Sequence, residues 1–115
     1  MTINRLADYL DHMRQAIADV QSFTVGMAQA DFEHDKRTQQ AVVMSLIVLG
    51  EAATKVMDQH PAFAAENSRI PWRSMRGMRN RIAHGYFDIN LEVVWDTVQT
   101  ALPALKTQLD ALSSV

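Results

Sequence analysis

The sequence predicts an all-α protein, a four- to five-helix up-and-down bundle formed by a single domain over residues 1–115. Three prolines and four glycines are few for a chain of 115 residues, so little interrupts regular structure. Apolar residues recur every three or four positions over long segments, which is the helical period, and no strand-like alternation is present. With 48% hydrophobic residues, the chain has enough apolar material for one core.

The first helix is predicted from about Asn4 to about Val25. Gly26 follows, and a glycine just past the last helical residue commonly ends a helix. One helical stripe contains the apolar residues Leu6, Leu10, Met13, Ile17 and Val20.

The second helix is predicted to start between Asp31 and Thr38 and to end by His60, because Pro61 disfavours helix at the residue before it. Its middle, AVVMSLIVLG at 41–50, is apolar almost all round, which predicts a position at the centre of the bundle or at a subunit interface. This run is too short to span a bilayer. The segment 61–70 is predicted to be a connecting loop or irregular turn.

A third helix is predicted to begin with Pro71 as its first residue, where the missing N–H costs nothing, and to end near Gly85. Residues 86–89 form a short link, and Asn90 is placed to cap the last helix. That helix has the apolar stripe Leu91, Val94, Val98, Leu102, Leu105, Leu109 and Leu112. Pro103 lies inside the stripe and predicts a bend rather than a break, since the pattern continues on both sides.

Positive charge is concentrated on the third helix, although the net charge of the chain is -2. No carboxylate lies between Glu66 and Asp88, and five arginines fall in that interval: Arg69, Arg73, Arg76, Arg79 and Arg81. At 100° per residue, one side of the helix has Trp72, Met75, Met78 and Ile82. The opposite side has Arg73, Arg76, Asn80 and His84.

Arg79 is the exception, because it projects beside Met75 and Ile82 toward the packed side. A charge removed from water needs a partner. Either Glu51 on the second helix forms a buried ion pair with Arg79, or Arg79 lies at the edge of a cleft and binds an anion. Arg79 and His84 are five residues apart, about 140° around a helix. They converge only if the helix ends by His84 or if a second copy of the chain supplies the other half.

Each of these features also has a structural explanation. The arginines are consistent with a solvated basic face, and His84 with a histidine favoured by the dipole at a helix end. Tyr86 is consistent with simple packing or with a hydroxyl that caps nearby backbone.

Several other classes of protein are excluded by composition. The chain has no cysteine, so disulfides, zinc-thiolate sites and thiol nucleophiles are absent. The remaining histidines, His12, His34 and His60, are scattered, and we expect no metal site and no cofactor. No glycine-rich phosphate loop is present. The N-terminal segment lacks the apolar core of a signal peptide, and we expect a soluble cytoplasmic protein without membrane association.

The string Arg79-Asn80-x-x-x-His84-x-Tyr86 resembles the R-x4-H-x-Y signature of HEPN-domain ribonucleases, specifically the HepT-like toxin family. The likeness extends to LGEAATK at 49–55, IPWRSMRGMRN at 70–80 and VWDTVQTALPALK at 94–106, and so covers most of the chain.

The resemblance implies a homodimeric HEPN bundle in which two signature helices meet and form a composite, metal-independent RNA-cleaving cleft. Family members usually act as toxins of toxin–antitoxin systems, with a minimal nucleotidyltransferase as antitoxin. In part of the family this partner transfers AMP to the signature tyrosine, here Tyr86. The resemblance implies Arg79, Asn80 and His84 as catalytic residues. The resemblance is compatible with transfer RNA or messenger RNA as the substrate, and the sequence does not choose between them.

The chemistry agrees with a shared site. Metal-independent RNA cleavage needs a base for the 2′-hydroxyl proton, an acid for the leaving 5′-oxygen, and positive charge on the phosphorane. A dimer offers two copies of His84 for the proton transfers and Arg79 as a phosphate clamp. Arg73, Arg76 and Arg81 are then expected to bind flanking phosphates.

Two other hypotheses stay open. The chain is alternatively a non-catalytic dimeric HEPN module that binds nucleotide, RNA or a nucleotidyltransferase partner. A purely structural bundle, in which Arg79 only pairs with Glu51, is the third possibility.

Overall fold

The computed structural model describes residues 4–112, and within that range every regular element is helical. The predicted all-α fold class is confirmed. The bundle is elongated, with principal extents of 48 × 28 × 23 Å. The elements are α1 (Leu6–Thr24), α2 (Gln29–Glu33), α3 (Lys36–Gln59), α4 (Pro61–Glu66), α5 (Trp72–His84), a 3-10 turn (Tyr86–Asp88), α6 (Leu91–Asp96), a π-helical turn (Thr97–Ala101) and α7 (Leu102–Asp110).

Helix α1 buries the predicted stripe against α3. All five apolar residues of that stripe are buried, and Leu10 and Met13 are fully shielded from solvent. After Thr24 the chain reaches Gly26, which has a φ of 78°, a conformation that side chains with a Cβ rarely adopt. The predicted end of the first helix is therefore confirmed.

The short helix α2 was not predicted from the sequence. Its five residues are too few for a periodic pattern. Tertiary packing holds it in place, since Phe32 is completely buried and its ring lies 5.4 Å from the ring of Trp95.

Helix α3 begins at a side-chain cap. The carboxylate of Asp35 accepts a hydrogen bond from the backbone N–H of Thr38 and another from its hydroxyl. These bonds lower the pKa of Asp35 below its ordinary value. Because the bonds favour the ionised carboxylate, their stabilising contribution is present above the ordinary pKa of Asp35 and is lost as the pH falls through the lowered one.

The central position predicted for α3 is confirmed, because α1 packs on one side of it and α5 on another. One strip remains open, where the side chains of Met44 and Val48 are exposed. By length and composition α3 is long and apolar enough to cross a membrane, since it has 24 residues and contains an 18-residue window with a mean hydropathy of 1.4. Half of that window is buried inside the bundle, and the core helices of globular proteins meet the same criteria.

Two boundaries near the prolines differ from the prediction. The segment after His60 is not wholly a loop, because Pro61 starts the six-residue helix α4; proline is favoured at a first helical position. Pro71 is the residue before α5 rather than its first residue, with a ψ of 65° that lies outside the helical range.

The last predicted helix is one continuous helical segment from Leu91 to Asp110. The side chain of Asn90 accepts hydrogen bonds from the backbone N–H groups of Glu92 and Val93, so the predicted cap is confirmed. Pro103 does not break the segment. A regular α-helix would need a backbone N–H at position 103, which proline lacks. The π-helical turn just before Pro103 changes the hydrogen-bond pattern at this point.

Candidate active site

The two faces of α5 are divided as the spacing predicted. Trp72, Met75 and Ile82 are buried against the bundle. On the other side, Asn80 and His84 are exposed one turn apart. The same exposed face begins with Arg73, so basic and polar side chains follow it over its whole length.

Helices α3 and α5 lie in close contact at Gly50. A Cβ at this position would overlap the Cβ of Arg79 and would lie 2.8 Å from the backbone oxygen of Met75. Gly50 is therefore required for the close contact that places the base of the Arg79 side chain against α3. This role of Gly50 was not predicted from the sequence, although a glycine inside an apolar helix can have a packing reason.

The guanidinium of Arg79 forms an ion pair with Glu51, in which Nη1 donates to Oε1. The predicted partner is confirmed, but the pair is not buried. The Arg79 side chain is 21% exposed and that of Glu51 is 50% exposed. The ion pair therefore lies at the edge of the bundle, with Glu51 more open to solvent than Arg79. The Nε of Arg79 is buried and has no hydrogen-bond partner among residues 4–112.

His84 and Tyr86 lie where α5 ends. The backbone N–H of Gly85 bonds to the carbonyl of Arg81 and closes the last turn. Neither His84 nor the hydroxyl of Tyr86 makes a side-chain hydrogen bond within the described part of the chain. The explanation of Tyr86 as a backbone cap is therefore wrong, and its ring instead contacts that of Phe87 edge to face, 5.9 Å away.

One chain does not bring the two ends of the signature together. Helix α5 stays helical through His84, so Arg79 and His84 leave it about 140° apart. Helix α5 does end at His84, as one of the two expected conditions required, but His84 is still its last helical residue, so this end does not by itself turn the imidazole toward Arg79. Convergence with the help of a second copy of the chain stays a prediction.

The other arginines of this region carry free charge. In the ranges that the structure describes, none of Arg73, Arg76 and Arg81 forms an ion pair with a carboxylate. Unpaired guanidiniums along one face produce a positive surface suited to phosphates. No cluster of three or more His, Asp or Glu side chains able to hold a metal occurs between residues 4 and 112.

Comparisons with a family model and with known proteins point to the same family. The family model described as ribonuclease HepT-like matches residues 13–112. A Thermococcus cleftensis protein named as a probable ribonuclease HepT is 36% identical over 91% of this chain and 93% of its own length.

Two further relatives are also named as RNases. One, from Methanocaldococcus jannaschii, is 37% identical over 85% of this chain and 75% of its own length. The other, from Caldanaerobacter subterraneus, is 31% identical over 88% of both chains. No solved structure matches this chain.

Proposed function

Because the chain belongs to the ribonuclease HepT-like family and is a ribonuclease, we propose that it is the toxin of a toxin–antitoxin pair and cleaves RNA without a metal ion. Two copies of the chain build the cleft together, each contributing one signature helix. The observation that carries this proposal is that Arg79 and His84 are both helical residues of α5 and leave it about 140° apart.

The exposed apolar strip of α3 supports a dimer. Met44 and Val48 are 60% and 41% exposed and lie one turn apart. Glu51, three residues further on, continues the same face and ends it at the ion pair with Arg79. Burial of this strip against a second copy removes apolar surface from water beside the catalytic residues. The dimer has twice the mass of the 12.9 kDa chain.

Within the composite cleft, one copy of His84 starts neutral and accepts the proton of the RNA 2′-hydroxyl. The other starts protonated and donates to the 5′-oxygen that leaves. The 2′-oxygen attacks phosphorus, the bond from phosphorus to the 5′-oxygen breaks, and the products are a 2′,3′-cyclic phosphate and a 5′-hydroxyl.

Positive charge and orientation come from the residues beside His84. The planar fork of Arg79 binds two phosphate oxygens of the phosphorane. Asn80, one turn before His84, orients the imidazole or donates to a phosphate oxygen. Arg73, Arg76 and Arg81 bind flanking phosphates, and such contacts position a strand without reading its sequence.

The proposed antitoxin is a minimal nucleotidyltransferase that transfers AMP to Tyr86. The Tyr86 side chain is 44% exposed and its hydroxyl is not engaged by any described residue, so an enzyme can reach it. Its oxygen attacks the α-phosphorus of ATP, and pyrophosphate leaves. The added AMP carries negative charge next to His84 and excludes the substrate phosphate by size and by repulsion.

The second candidate is a non-catalytic dimeric module that binds RNA or the nucleotidyltransferase without cutting. The pairing of Arg79 with Glu51 favours it, because the phosphate clamp is already occupied by a carboxylate. In both cases we place the protein in the cytoplasm, where transfer RNA and messenger RNA are accessible.

The test is RNA cleavage by purified protein in the presence of a metal chelator. The proposal predicts cleavage by the wild type with 2′,3′-cyclic phosphate ends, and none by His84→Ala. Cleavage that stops with chelator disproves the metal-independent mechanism. Equal RNA binding without cleavage by both proteins favours the non-catalytic module.

A further inference from the structure

A second basic feature lies at the opposite end of α5 from His84. The end of α3, helix α4 and the start of α5 enclose a surface cavity of about 570 Å³. Its volume falls within the range of about 300–1,000 Å³ that small-molecule sites occupy. Met57, Ile70 and Trp72 contribute apolar surface to its lining. This cavity was not expected from the sequence, because residues 61–70 were predicted to be a loop or irregular turn.

The rim of the cavity is mainly positive. Arg73 and Arg76 line it and form no ion pair with any carboxylate in residues 4–112. Asp58 is the one carboxylate in the lining, and the hydroxyls of Ser68 and Ser74 add hydrogen-bonding groups. An apolar floor below a guanidinium rim suits a flat heterocycle with a phosphate attached, since bases stack on apolar and guanidinium surfaces.

The cavity and the proposed catalytic face lie on the same side of α5. Arg73 and Arg76 belong to the same exposed side of α5 as Asn80 and His84. From Arg76 to His84 the helix rises about 12 Å. At about 3.4 Å per nucleotide in a stacked strand, no more than about four nucleotides separate the two positions, and fewer do so in an extended strand.

We propose that this cavity is a nucleobase subsite of the RNA strand, a few nucleotides away from the phosphate that is cleaved. It seats one unstacked base, while Arg73 and Arg76 bind the phosphates on either side of that base. The proposal rests on the proposed function, in which the substrate strand lies along α5. The subsite makes the enzyme prefer single-stranded segments over a base-paired helix, because only an unpaired base can enter.

The test measures binding apart from cleavage. Oligonucleotides with 2′-O-methyl groups lack the attacking hydroxyl and stay intact. We expect the wild-type protein to bind a single-stranded octamer at least tenfold more tightly than a dinucleotide, which is too short to reach from His84 to the cavity. Fluorescence anisotropy of labelled oligonucleotides gives both affinities.

A matched pair of variants on α4 tests whether the cavity causes the tighter binding of the octamer. Ala65 is exposed and lines the cavity, whereas Ala62, on the same helix, is exposed and does not line it. Ala65→Leu narrows the cavity. It is expected to weaken octamer binding about fivefold, the lower end of what one stacked base contributes, and to leave dinucleotide binding unchanged. Ala62→Leu is expected to change neither. Equal octamer binding by all three proteins overturns the proposal.

Photo-crosslinking gives a second readout that does not depend on a variant. An octamer with one 5-bromouracil, moved stepwise along the strand, is expected to crosslink from one position to the peptide that contains Trp72. If the 5-bromouracil is tried at every position and no crosslink falls within residues 57–76, the subsite is contradicted. If AMP displaces the octamer at a lower concentration than unlabelled octamer does, the cavity is a site for free nucleotide and the strand subsite is wrong.

The failure of cleavage and the failure of the subsite are distinguishable. If the protein does not cut RNA but the length-dependent affinity is present and sensitive to Ala65→Leu, the subsite stands and the nuclease mechanism falls. If the protein cuts RNA but affinity does not rise with length, the mechanism stands and the subsite falls.

Discussion

The two ends of the signature on α5 are built differently. Arg79 lies against Gly50, is only 21% exposed and is paired with Glu51. Five residues later His84 is exposed, and Phe87 is 98% exposed. The fold of one chain therefore positions Arg79, the proposed phosphate clamp, but leaves His84, the proposed proton-transfer group, open to solvent. A site that is half fixed and half open is what the proposed composite cleft would require from each of its two chains.

The largest effect is expected at the open end, where a substitution of His84 should change cleavage without changing stability. His84→Ala is expected to lower RNA cleavage at least 100-fold, the lower limit for loss of a general acid or base. Because the side chain is exposed, stability should change by less than about 0.5 kcal/mol. Cleavage assays and thermal denaturation measure the two effects.

His12→Ala provides the control for that change, since His12 is exposed on α1 and belongs to no proposed site. It should leave both cleavage and stability unchanged. A His84→Ala protein that unfolds at a temperature several degrees lower than His12→Ala would show that His84 has a structural role and does not belong to an open end of the site.

The next effect tests the fixed end. Gly50→Ala introduces a Cβ that overlaps Arg79 and the backbone of Met75. We expect a loss of about 1–3 kcal/mol in the free energy of unfolding, as for overpacked cores. Cleavage should fall at temperatures where the protein remains folded, because Arg79 is displaced. Chemical denaturation gives the stability.

Gly77→Ala on α5 is the matched control, because the nearest atom to its new Cβ is the Nη1 of Arg81 at an ordinary 3.4 Å. Alanine favours helix over glycine, so this variant should be stabilised by about 0.5–1 kcal/mol. If both variants gain stability, the close contact between α3 and α5 does not constrain position 50.

A smaller effect is expected from the ion pair. Glu51→Gln keeps an acceptor for Arg79 Nη1 but removes the charge. Since half of the Glu51 side chain is exposed, screening limits the loss of stability to less than about 1 kcal/mol. RNA affinity should rise a few-fold at low salt, because one negative charge next to the phosphate site is gone. A large loss of stability would instead favour the purely structural explanation of Arg79.

The smallest effect on the free protein is expected from Tyr86→Phe. Its hydroxyl makes no hydrogen bond to the described residues, so removal should leave stability and cleavage as they are. Incubated with ATP and the proposed nucleotidyltransferase, the wild type should gain the mass of one AMP per chain and the variant none. If intact-mass spectrometry finds AMP on the variant, the modified residue is not Tyr86.

Long elements were predictable from the sequence and short ones were not. The stripe of α1 and the cap at Asn90 follow from local spacing, and both are observed. Helix α2 depends on the distant contact between Phe32 and Trp95, which no local pattern reveals. The charge of Arg79 pointed to Glu51 as one of two possible explanations, and the pair is present but not buried as expected. The role of Gly50 depends on the contact between α3 and α5, and the cavity beside α4 depends on the packing of three helices, α3, α4 and α5. Neither could be predicted from one segment of the sequence.

The central claim is that each catalytic cleft uses His84 from two chains, and subunit mixing tests it most directly. Wild-type and His84→Ala chains are unfolded together in equal amounts, refolded, and assayed at fixed total concentration. If both imidazoles are required, only dimers of two wild-type chains are active, and roughly a quarter of the wild-type rate remains. Retention of half the rate, together with a monomeric mass near 12.9 kDa, would contradict the account.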